Sequence, residues 1–531
     1  MGNITILDTT LRDGAQSRDI SFSVSDKLAI LHTLDRFGVD YIECGNPASN
    51  PKDMEFFKAA ARARLKSARL CAFGSTRHKD CGAEQDEGLN ALLAAGTEAV
   101  SLFGKAWDMH VSEVLGVSAE QNIDMIRDSI AYIKAAGREV IFDAEHFFDG
   151  YKANPKYALA VLRTAAQSGA DILCLCDTNG GTLPGDIARI CSAAQEALLA
   201  GAGKKPALGI HTHNDNGCAA ANSLIAIDAG ISHIQGTFVG FGERCGNACL
   251  SSIIPAIKLK TPHDCMGDLP LLTETAARVA EISNVRITGN QPYIGKNAFT
   301  HKAGMHIDGV IKHTASFEHV DPRAVGNERH FLVSEVAGRG SVLERVRLVS
   351  PGITRGSAEL AAIVERVKEL ELFGYQFEAA DASFELLVRR ILGLYKPHFS
   401  LVHYKTMDEF PAPDGEQPST AVIKIDVDSR TEIAAAMGKG PVNALDIALR
   451  NALSVFYPQL SDIRLTDYKV RVLEQEADTA AKVRVLIETA DKDGTSWSTI
   501  GVSVDIIEAS LIALIDSVEY HLITEDDKPH E

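Results

Sequence analysis

The sequence predicts a (β/α)8, or TIM, barrel over residues 1–275, a helical linker subdomain over 276–410 and a C-terminal α+β regulatory domain over 411–531. Three observations lead there. Short apolar runs recur eight times before residue 275, each followed by a stretch with the apolar spacing of a helix. Past residue 280 that alternation gives way to helices and loops. Beyond a Pro- and Gly-bearing stretch at 411–420, strands and helices then appear as a twofold repeat.

The eight runs lie at 4–7, 41–44, 70–73, 99–103, 140–142, 172–176, 208–210 and 234–239. They are continuous rather than alternating, as in strands covered on both faces of a parallel sheet. The stretches between them, such as 25–37 and 119–136, are rich in Ala, Leu and charge. A repeat of roughly 30 to 40 residues leaves room for one crossover helix per strand. A doubly wound open sheet is the other arrangement this alternation permits. Residues 297–309 place His301, Lys302 and His306, all able to exchange protons, within the helical region. Farther on, strand-like 421–427 and 481–488 are each followed by a helical stretch, 442–456 and 506–521. Few residues there carry chemistry, so sensing or assembly is the expected role.

At 531 residues the chain exceeds what one core organises, and 45% hydrophobic with 23% charged residues is ordinary for a globular protein. A net charge of -18 without a basic stripe argues against nucleic acid as partner. No apolar run reaches the ~20 residues of a membrane span, so no membrane partner is expected. Met1-Gly2-Asn3-Ile4 runs into the first strand without a signal-peptide pattern, and ten cysteines follow no regular framework. A reducing cytoplasm is the expected location. Cys174-Leu175-Cys176 has the wrong spacing for a zinc knuckle and reads as two small apolar side chains of a strand. Cys218, Cys245 and Cys249 read as core or supporting residues rather than nucleophiles.

Two polar clusters carry the chemistry: Asp8-Thr9-Thr10-Leu11-Arg12-Asp13-Gly14 and His211-Thr212-His213-Asn214-Asp215. Residues i and i+2 of a strand point to one face, so His211 and His213 present two imidazoles side by side. Taken singly, that pair also suits a polar strand face, and Asp13 also suits a turn or a helix cap. The barrel joins them. Arg12 and Asp13 follow the first strand and the histidines end the seventh. These strands are close neighbours around the barrel, whose active sites sit at the C-terminal strand ends. Two histidines and one carboxylate hold a divalent cation while leaving positions open for substrate, as a Lewis acid requires. Glu43, Asp143, Glu145, Asp177, Thr178, Glu243, Arg244 and Asn247 leave other strand ends in the same direction. The glycine-rich segment 240–247 lacks the spacing of a dinucleotide fingerprint; it reads as backbone close to a ligand, or as a structural turn.

Asp8 to Gly14, His211 to Asp215 and Gly242 to Asn247 resemble motifs of the acyl-CoA condensing synthases, the family of isopropylmalate, homocitrate and citramalate synthases. The resemblance runs over nearly the whole chain, including a C-terminal domain similar to the regulatory domain of isopropylmalate synthase. Ser49-Asn50-Pro51-Lys52-Asp53, Phe103-Gly104-Lys105-Ala106-Trp107-Asp108, Cys176-Asp177-Thr178-Asn179-Gly180-Gly181 and Val325-Gly326-Asn327-Glu328-Arg329 look most like the citramalate type. The resemblance implies condensation of acetyl-CoA with pyruvate and thioester hydrolysis, in isoleucine biosynthesis. It implies a divalent metal (Mn, Mg, Zn or Co) held by Asp13, His211 and His213, with Asn247 at or near its shell. Arg12 is then the oxyanion and substrate partner, Glu145 the base, and Thr178 the hydroxyl on the oxo-acid carboxylate. Asp143 and Phe103 line the substrate pocket. His306 completes the site, often from a partner subunit, as proton relay or activator of water. A homodimer and feedback by isoleucine follow from the same resemblance, with 434–441 as a loop admitting the amino acid or as a tight structural turn.

Two departures bear on the oxo acid. Glu43-Cys44-Gly45-Asn46-Pro47-Ala48 stands where the citramalate type reads Glu-Gly-Gly-Trp-Pro-Gly, and Ile307-Asp308-Gly309 looks like homocitrate-type sequence. Homocitrate and 2-isopropylmalate synthases therefore stay open as alternatives. An acyl-CoA lyase shares the barrel but has no use for the domain after Ser400. A non-haem iron oxygenase shares two histidines and a carboxylate, without a need for Glu145. A catalytically dead sensor is opposed by the full set of Arg12, Asp13, Glu145, His211 and His213.

Overall fold

Parity along the first strand decides what the barrel encloses. In β1 (Asn3–Asp8), Ile4 and Ile6 join the apolar layer beneath the surrounding helices, whereas Leu7 joins a separate cluster with Tyr41, Cys71, Ala99, Ile141 and Ile172. That smaller cluster lies in the barrel interior. The computed structural model describes residues 3–199, 205–331, 339–409, 419–473, 481–492 and 494–527. They form two units, residues 1–299 with 319–329, and residues 300–318 with 330–531. The first unit thus extends past the expected boundary at 275.

In the first unit β1 is followed by β2 (Tyr41–Glu43), β3 (Arg69–Ser75), β4 (Ala99–Lys105), β5 (Glu139–Glu145), β6 (Ile172–Asp177), β7 (Ala207–Thr212) and β8 (His233–Gly236). Each pairs in parallel with the next, and β8 pairs with β1, so the sheet closes. The eight-stranded barrel is therefore the fold, and the open doubly wound sheet is excluded. A short strand β9 (Asp264–Cys265) adds to the start of β1. The eighth strand is shorter than the expected 234–239. Thr237 leaves the ladder because its N–H donates to the carbonyl of Ala248 at 3.1 Å, while the N–H of Leu250 donates to Thr237 at 3.0 Å.

Helix signals work locally. Ser23 caps the helix Val24–Phe37 by accepting from the N–H of Asp26, whose carboxylate accepts from the N–H of Ser23, and Gly38 ends it at φ 97°. In the strands, alternation assigns faces: Val140, Phe142 and Ala144 pack outward, leaving Ile141, Asp143 and Glu145 inward. The same parity sends Glu43, Phe73, Ser101, Phe103, Lys105, Cys174, Cys176, His211 and Gln235 into the barrel. The apolar cluster forms one layer of the interior, with Thr5, His233 and the Arg69–Glu139 ion pair toward the strand N-termini and polar or aromatic residues toward the C-termini.

The second unit opens with β10 (Thr300–His301) paired to β11 (His330–Phe331) and a set of helices, including Gly304–Lys312, Ala358–Phe373 and Asp381–Ile391. Two three-stranded antiparallel sheets follow. One holds β12 (Ser400–Asp408), β13 (Ser419–Val427) and β14 (Arg430–Gly438) and carries the helix Pro441–Ser454. The other holds β15 (Arg464–Val472), β16 (Val483–Ala490) and β17 (Ser496–Ser503) and carries the helix Ile506–Asp526. The expected repeat is present down to a register shift near the start of each first strand, between Leu401 and His403 and between Leu465 and Asp467. Ile423, Leu445, Ile487 and Leu514 join the two halves in one core.

Two boundaries differ from expectation. The sheet takes its first strand from residues ahead of 411, so the Pro- and Gly-bearing stretch falls inside it. Residues 410–418 of that stretch lie outside the described residues. The expected turn at 434–441 is strand as far as Gly438, and a Cβ there would meet the backbone nitrogen of Ala444 at 2.4 Å. The tight structural reading of this segment is the one the backbone takes.

His398, just before β12, ties that strand to the helix Ile506–Asp526. Its Nδ1 lies 3.0 Å from Glu519 and its Nε2 3.1 Å from Asp526. The hydrogen bond to Glu519, with that to Asp526, raises the imidazole above its ordinary value despite partial burial. A raised histidine contributes stability that is complete below its unfolded value of about 6.5 and is lost as pH rises through the folded value. The thermal midpoint of the C-terminal domain should therefore fall as pH climbs from about 6.5, and His398→Gln should remove that slope. Calorimetric scans across pH check it.

Candidate active site

The Asp8 to Gly14 motif is a set of stitches that fix where Arg12 and Asp13 point. The Asp8 carboxylate accepts from the N–H of Thr10 at 2.8 Å, the Thr10 hydroxyl accepts from the N–H of Phe238 at 2.9 Å, and Thr9 donates to the carbonyl of Gly236 at 3.1 Å. The end of β1 is thereby sewn to β8. The carbonyl of Thr9 then accepts from the N–H groups of Arg12, Asp13 and Gly14, turning the chain across the barrel mouth. Gly14 is required at that turn, since a Cβ would sit 2.7 Å from the Phe241 ring. Asp13 occupies the cap position of the short helix Gly14–Gln16, yet its side chain makes no capping bond. The carboxylate faces the histidines instead.

His211 Nε2 lies 3.1 Å from Asp13 Oδ2, His213 Nε2 lies 4.0 Å from it, and the two Nε2 atoms are 3.3 Å apart. Asp13, His211 and His213 are all buried, and their donor atoms lie within 4.8 Å of one another. A hydrogen-bond chain behind His211 sets its tautomer. Ser101 donates to Asp143 at 2.6 Å, the Gln235 amide donates to Asp143 at 2.9 Å, and Gln235 Oε1 accepts from His211 Nδ1 at 2.9 Å. With its proton on Nδ1, His211 turns a lone pair toward the Asp13 carboxylate. That contact is repulsive unless a proton or a cation lies between them. Burial lowers His211, but the Asp13 hydrogen bond and charge more than offset it, so its value is raised. Burial and His211 push His213 down to about 3, which leaves it neutral and ready to ligate.

The charge balance points the same way. Burial pushes Asp8 up to about 7 and raises Glu43 and Asp143 as well. Burial also acts on Asp13, but Arg12 and His211 outweigh it and hold that carboxyl below the usual range. Both side-chain atoms of Asn247, next to His213 through a strand bridge, are buried without a partner, as is His213 Nδ1. Gly242 makes room for that amide, since a Cβ would lie 2.7 Å from Asn247 Oδ1. Two neutral-capable imidazoles, an ionised carboxylate and an unspent amide in one buried place fit a divalent cation.

Around this cluster is a cleft of about 240 Å³ lined by Arg12, Asp13, Phe73, Phe103, Asp143, Glu145, Thr178, His211 and His213 among others. Arg12 Nε donates to Glu43 at 2.5 Å, and its guanidinium lies 3.8 Å from the Phe73 ring centroid. Phe73 stacks on Phe103 at 5.2 Å, and the Lys105 ammonium sits 5.7 Å from the Phe103 centroid while pairing with Glu145. The wall therefore alternates cation, ring, ring, cation. Thr178 accepts from the N–H of His146, a residue with φ 55° directly after Glu145. A left-handed non-glycine residue there is backbone strain next to Glu145.

Of the groups expected at the mouth, Asp177 and Arg244 are spent elsewhere: Asp177 accepts from Thr182, and Arg244 makes a two-pronged contact to Asp215 at 2.8 and 2.9 Å. Asp143 lines the cleft, but both its oxygens are engaged by Ser101 and Gln235. His306 lies in the second unit, exposed on the helix Gly304–Lys312, with its ring stacked on Phe317 at 4.1 Å. Gln235, Ser101, Phe73 and Lys105 were not expected at the site. Lys105 had a readable signal: β4 and β5 pair with Phe103 opposite Asp143 and Lys105 opposite Glu145, so a basic residue two after Phe103 must meet an acidic one two after Asp143. Cys174 and Cys176 are buried inward-facing thiols. Burial raises Cys174 well above its ordinary value; Cys176 is lowered by a hydrogen bond with Cys174, yet burial and nearby carboxylates push it up to about 11. Both stay protonated, as small core side chains do.

Comparison with known proteins matches this geometry. Residues 3–279 match the HMGL-like family, 293–372 the homocitrate synthase post-HMGL domain-like family, and 378–522 the LeuA allosteric (dimerisation) domain. The chain is 47% identical to an (R)-citramalate synthase of Geobacter sulfurreducens over 98% of both chains. It is 46% identical to one of Aquifex aeolicus over 99% of both. A probable 2-isopropylmalate synthase of Methanosarcina mazei is 31% identical over 97% of this chain and 94% of that one. Similarity at this level along both units, barrel and twofold repeat alike, makes the chain a member of the (R)-citramalate synthase family.

Proposed function

We propose that the protein condenses acetyl-CoA with pyruvate and hydrolyses the thioester, giving (R)-citramalate and CoA in cytoplasmic isoleucine biosynthesis. The observation that carries this reading is one cleft in which Asp13, His211 and His213 face Arg12 and Glu145. Asp13, His211 and His213, with Asn247 beside them, would hold Mn, Mg, Zn or Co. Such a cation would supply Lewis acidity toward the keto group of a 2-oxo acid.

The chain's own groups do the rest. Arg12, fixed by Glu43 and the Phe73 ring, stands ready for the negative oxygen that develops as the keto carbon is attacked. Glu145 takes a proton from the acetyl methyl group, a very weak acid that needs a positioned base. Thr178 donates to the oxo-acid carboxylate through a hydroxyl already oriented by His146. Phe103 bounds the space beyond the keto carbon, though each methylene excluded is worth only about 1 to 3 kcal/mol. Asp143 acts on substrate through Gln235 and His211. For His306 we infer, from the resemblance alone, the relay of a proton or the activation of the hydrolytic water. Exposed apolar residues on the outer face of the first three-stranded sheet, Val402, Ile433 and Met437, support a homodimer formed through the C-terminal domain, with isoleucine as feedback ligand.

The test is CoA release from acetyl-CoA with pyruvate, 2-oxoisovalerate or 2-oxoglutarate, each with and without chelator. Release with pyruvate alone, abolished by chelator and lowered by isoleucine, is expected. A preference for 2-oxoisovalerate or 2-oxoglutarate moves the reading to 2-isopropylmalate or homocitrate synthase. Release with none of the three sinks the synthase reading.

A further inference from the structure

The strand β6 turns two buried thiols, Cys174 and Cys176, to the inner face of the barrel. Residues two apart in a strand share a face, so both sulfurs point the same way. Opposite Cys174 in the ladder stands Asp143 of β5, which is also buried and turned inward. One sulfur from each cysteine and one oxygen of Asp143 lie within 4.8 Å of one another. Among the described residues two such clusters occur, this one and Asp13 with His211 and His213, and only this one contains sulfur. Cys174-Leu175-Cys176 lacks the spacing of a knuckle, but its third donor comes from the neighbouring strand.

Three further observations bear on what this cluster does. Cys176 lines the catalytic cleft, so a small ion reaches the sulfurs from there. Glu43 Oε1 is buried with no hydrogen-bond partner among the described residues, and the negative charge of that side chain acts on both Cys174 and Asp143. A cation is drawn toward such a place. Asp143, finally, anchors the hydrogen-bond chain behind His211: it accepts from the Gln235 amide at 2.9 Å, and Gln235 Oε1 lies 2.9 Å from His211 Nδ1.

We propose that Cys174, Cys176 and Asp143 form a second cation site, selective for soft divalent ions, and that an ion held there disables the neighbouring cluster of Asp13, His211 and His213. Sulfur selects soft ions, whereas Mg2+ prefers a shell of oxygens. Both thiols stay protonated until such an ion arrives. Loading then replaces two S–H bonds by two S–metal bonds, and both protons leave to the solvent. An Asp143 carboxylate drawn to the ion no longer holds the Gln235 amide, and Gln235 no longer fixes the tautomer of His211. The site itself is independent of the reaction proposed above; only its effect on turnover rests on that reading.

Titration of the full-length protein with Cd2+ in excess Mg2+ tests it, because cadmium bound to thiolate gives an ultraviolet charge-transfer band that cadmium on carboxylate or imidazole does not. Wild type should show the band of two thiolates on one ion. Cys174→Ser keeps the shape and replaces the soft donor, so about half of that band should go and cadmium affinity should fall by about tenfold or more. Cys176→Ser should behave alike, and it decides the matter should Cys174→Ser fail to fold. Subtracting the variants from wild type removes what the less buried thiols Cys81, Cys218, Cys245 and Cys249 contribute. No band in wild type, or a band unchanged by the substitutions, overturns the site. CoA release gives the second readout, each protein measured against its own cadmium-free rate. Cys174→Ser should need about tenfold or more cadmium than wild type for the same fractional inhibition. Equal sensitivity overturns the link to His211. Absence of CoA release by wild type counts against the synthase reading alone, since the cadmium band still decides the site.

Discussion

Glu145→Gln should lower the rate of CoA release by about 10²- to 10⁴-fold, the range a positioned general base contributes, and leave pyruvate binding within about twofold. The substitution keeps size and hydrogen-bonding capacity while removing the proton acceptor. It also removes the charge that Lys105 now balances, so only a hydrogen bond from the ammonium to a neutral amide oxygen remains to hold the side chain. Exchange of the acetyl methyl protons with deuterated solvent isolates the step. Wild-type enzyme with a non-condensing pyruvate analogue should exchange, and Glu145→Gln should not. Turnover at the wild-type rate would remove Glu145 as the base.

His211→Ala should abolish metal retention and reduce turnover to near the uncatalysed level, because a three-ligand site loses both a donor and its geometry. The contrast that gives this test its force is Gln235→Leu. Gln235 touches no proposed metal donor directly except His211, whose Nδ1 proton it accepts. Losing such an outer partner typically costs about 10- to 100-fold in metal affinity, so excess metal should restore Gln235→Leu but not His211→Ala. Metal analysis of purified protein and activity over a metal titration separate the two. Equal rescue of both variants would show that His211 does not ligate.

The barrel was legible because its two signals are local and repeated: continuous apolar runs, and helical spacing between them. The lengths of individual strands were less so, since β8 ends where residues 237 and 250 bond to each other across a turn that no local pattern announces. Asp13, His211 and His213 could be placed together from topology alone, because strands one and seven, separated only by β8, end at the same mouth of a closed sheet. Gln235 and Ser101 could not, being uncharged residues of interior strand positions whose importance appears only when the partners on β5 and β7 are known. The C-terminal repeat was visible in its period. Its first strand was not, because β12 is largely exposed on both faces and lacks the alternation that marks β13.

The alternating wall of Arg12, Phe73, Phe103 and Lys105 also works as a gauge. Each cationic head rests on its own ring, and the two rings lie nearly parallel at an interplanar angle of 19°. The distance from the Arg12 head to the Lys105 head tied to Glu145 is thus set by the thickness of stacked aromatics. In the proposed reaction a 2-oxo acid would be measured against that fixed interval. Relatives that take a longer oxo acid should therefore differ first at these two rings, and only afterwards at any charged residue.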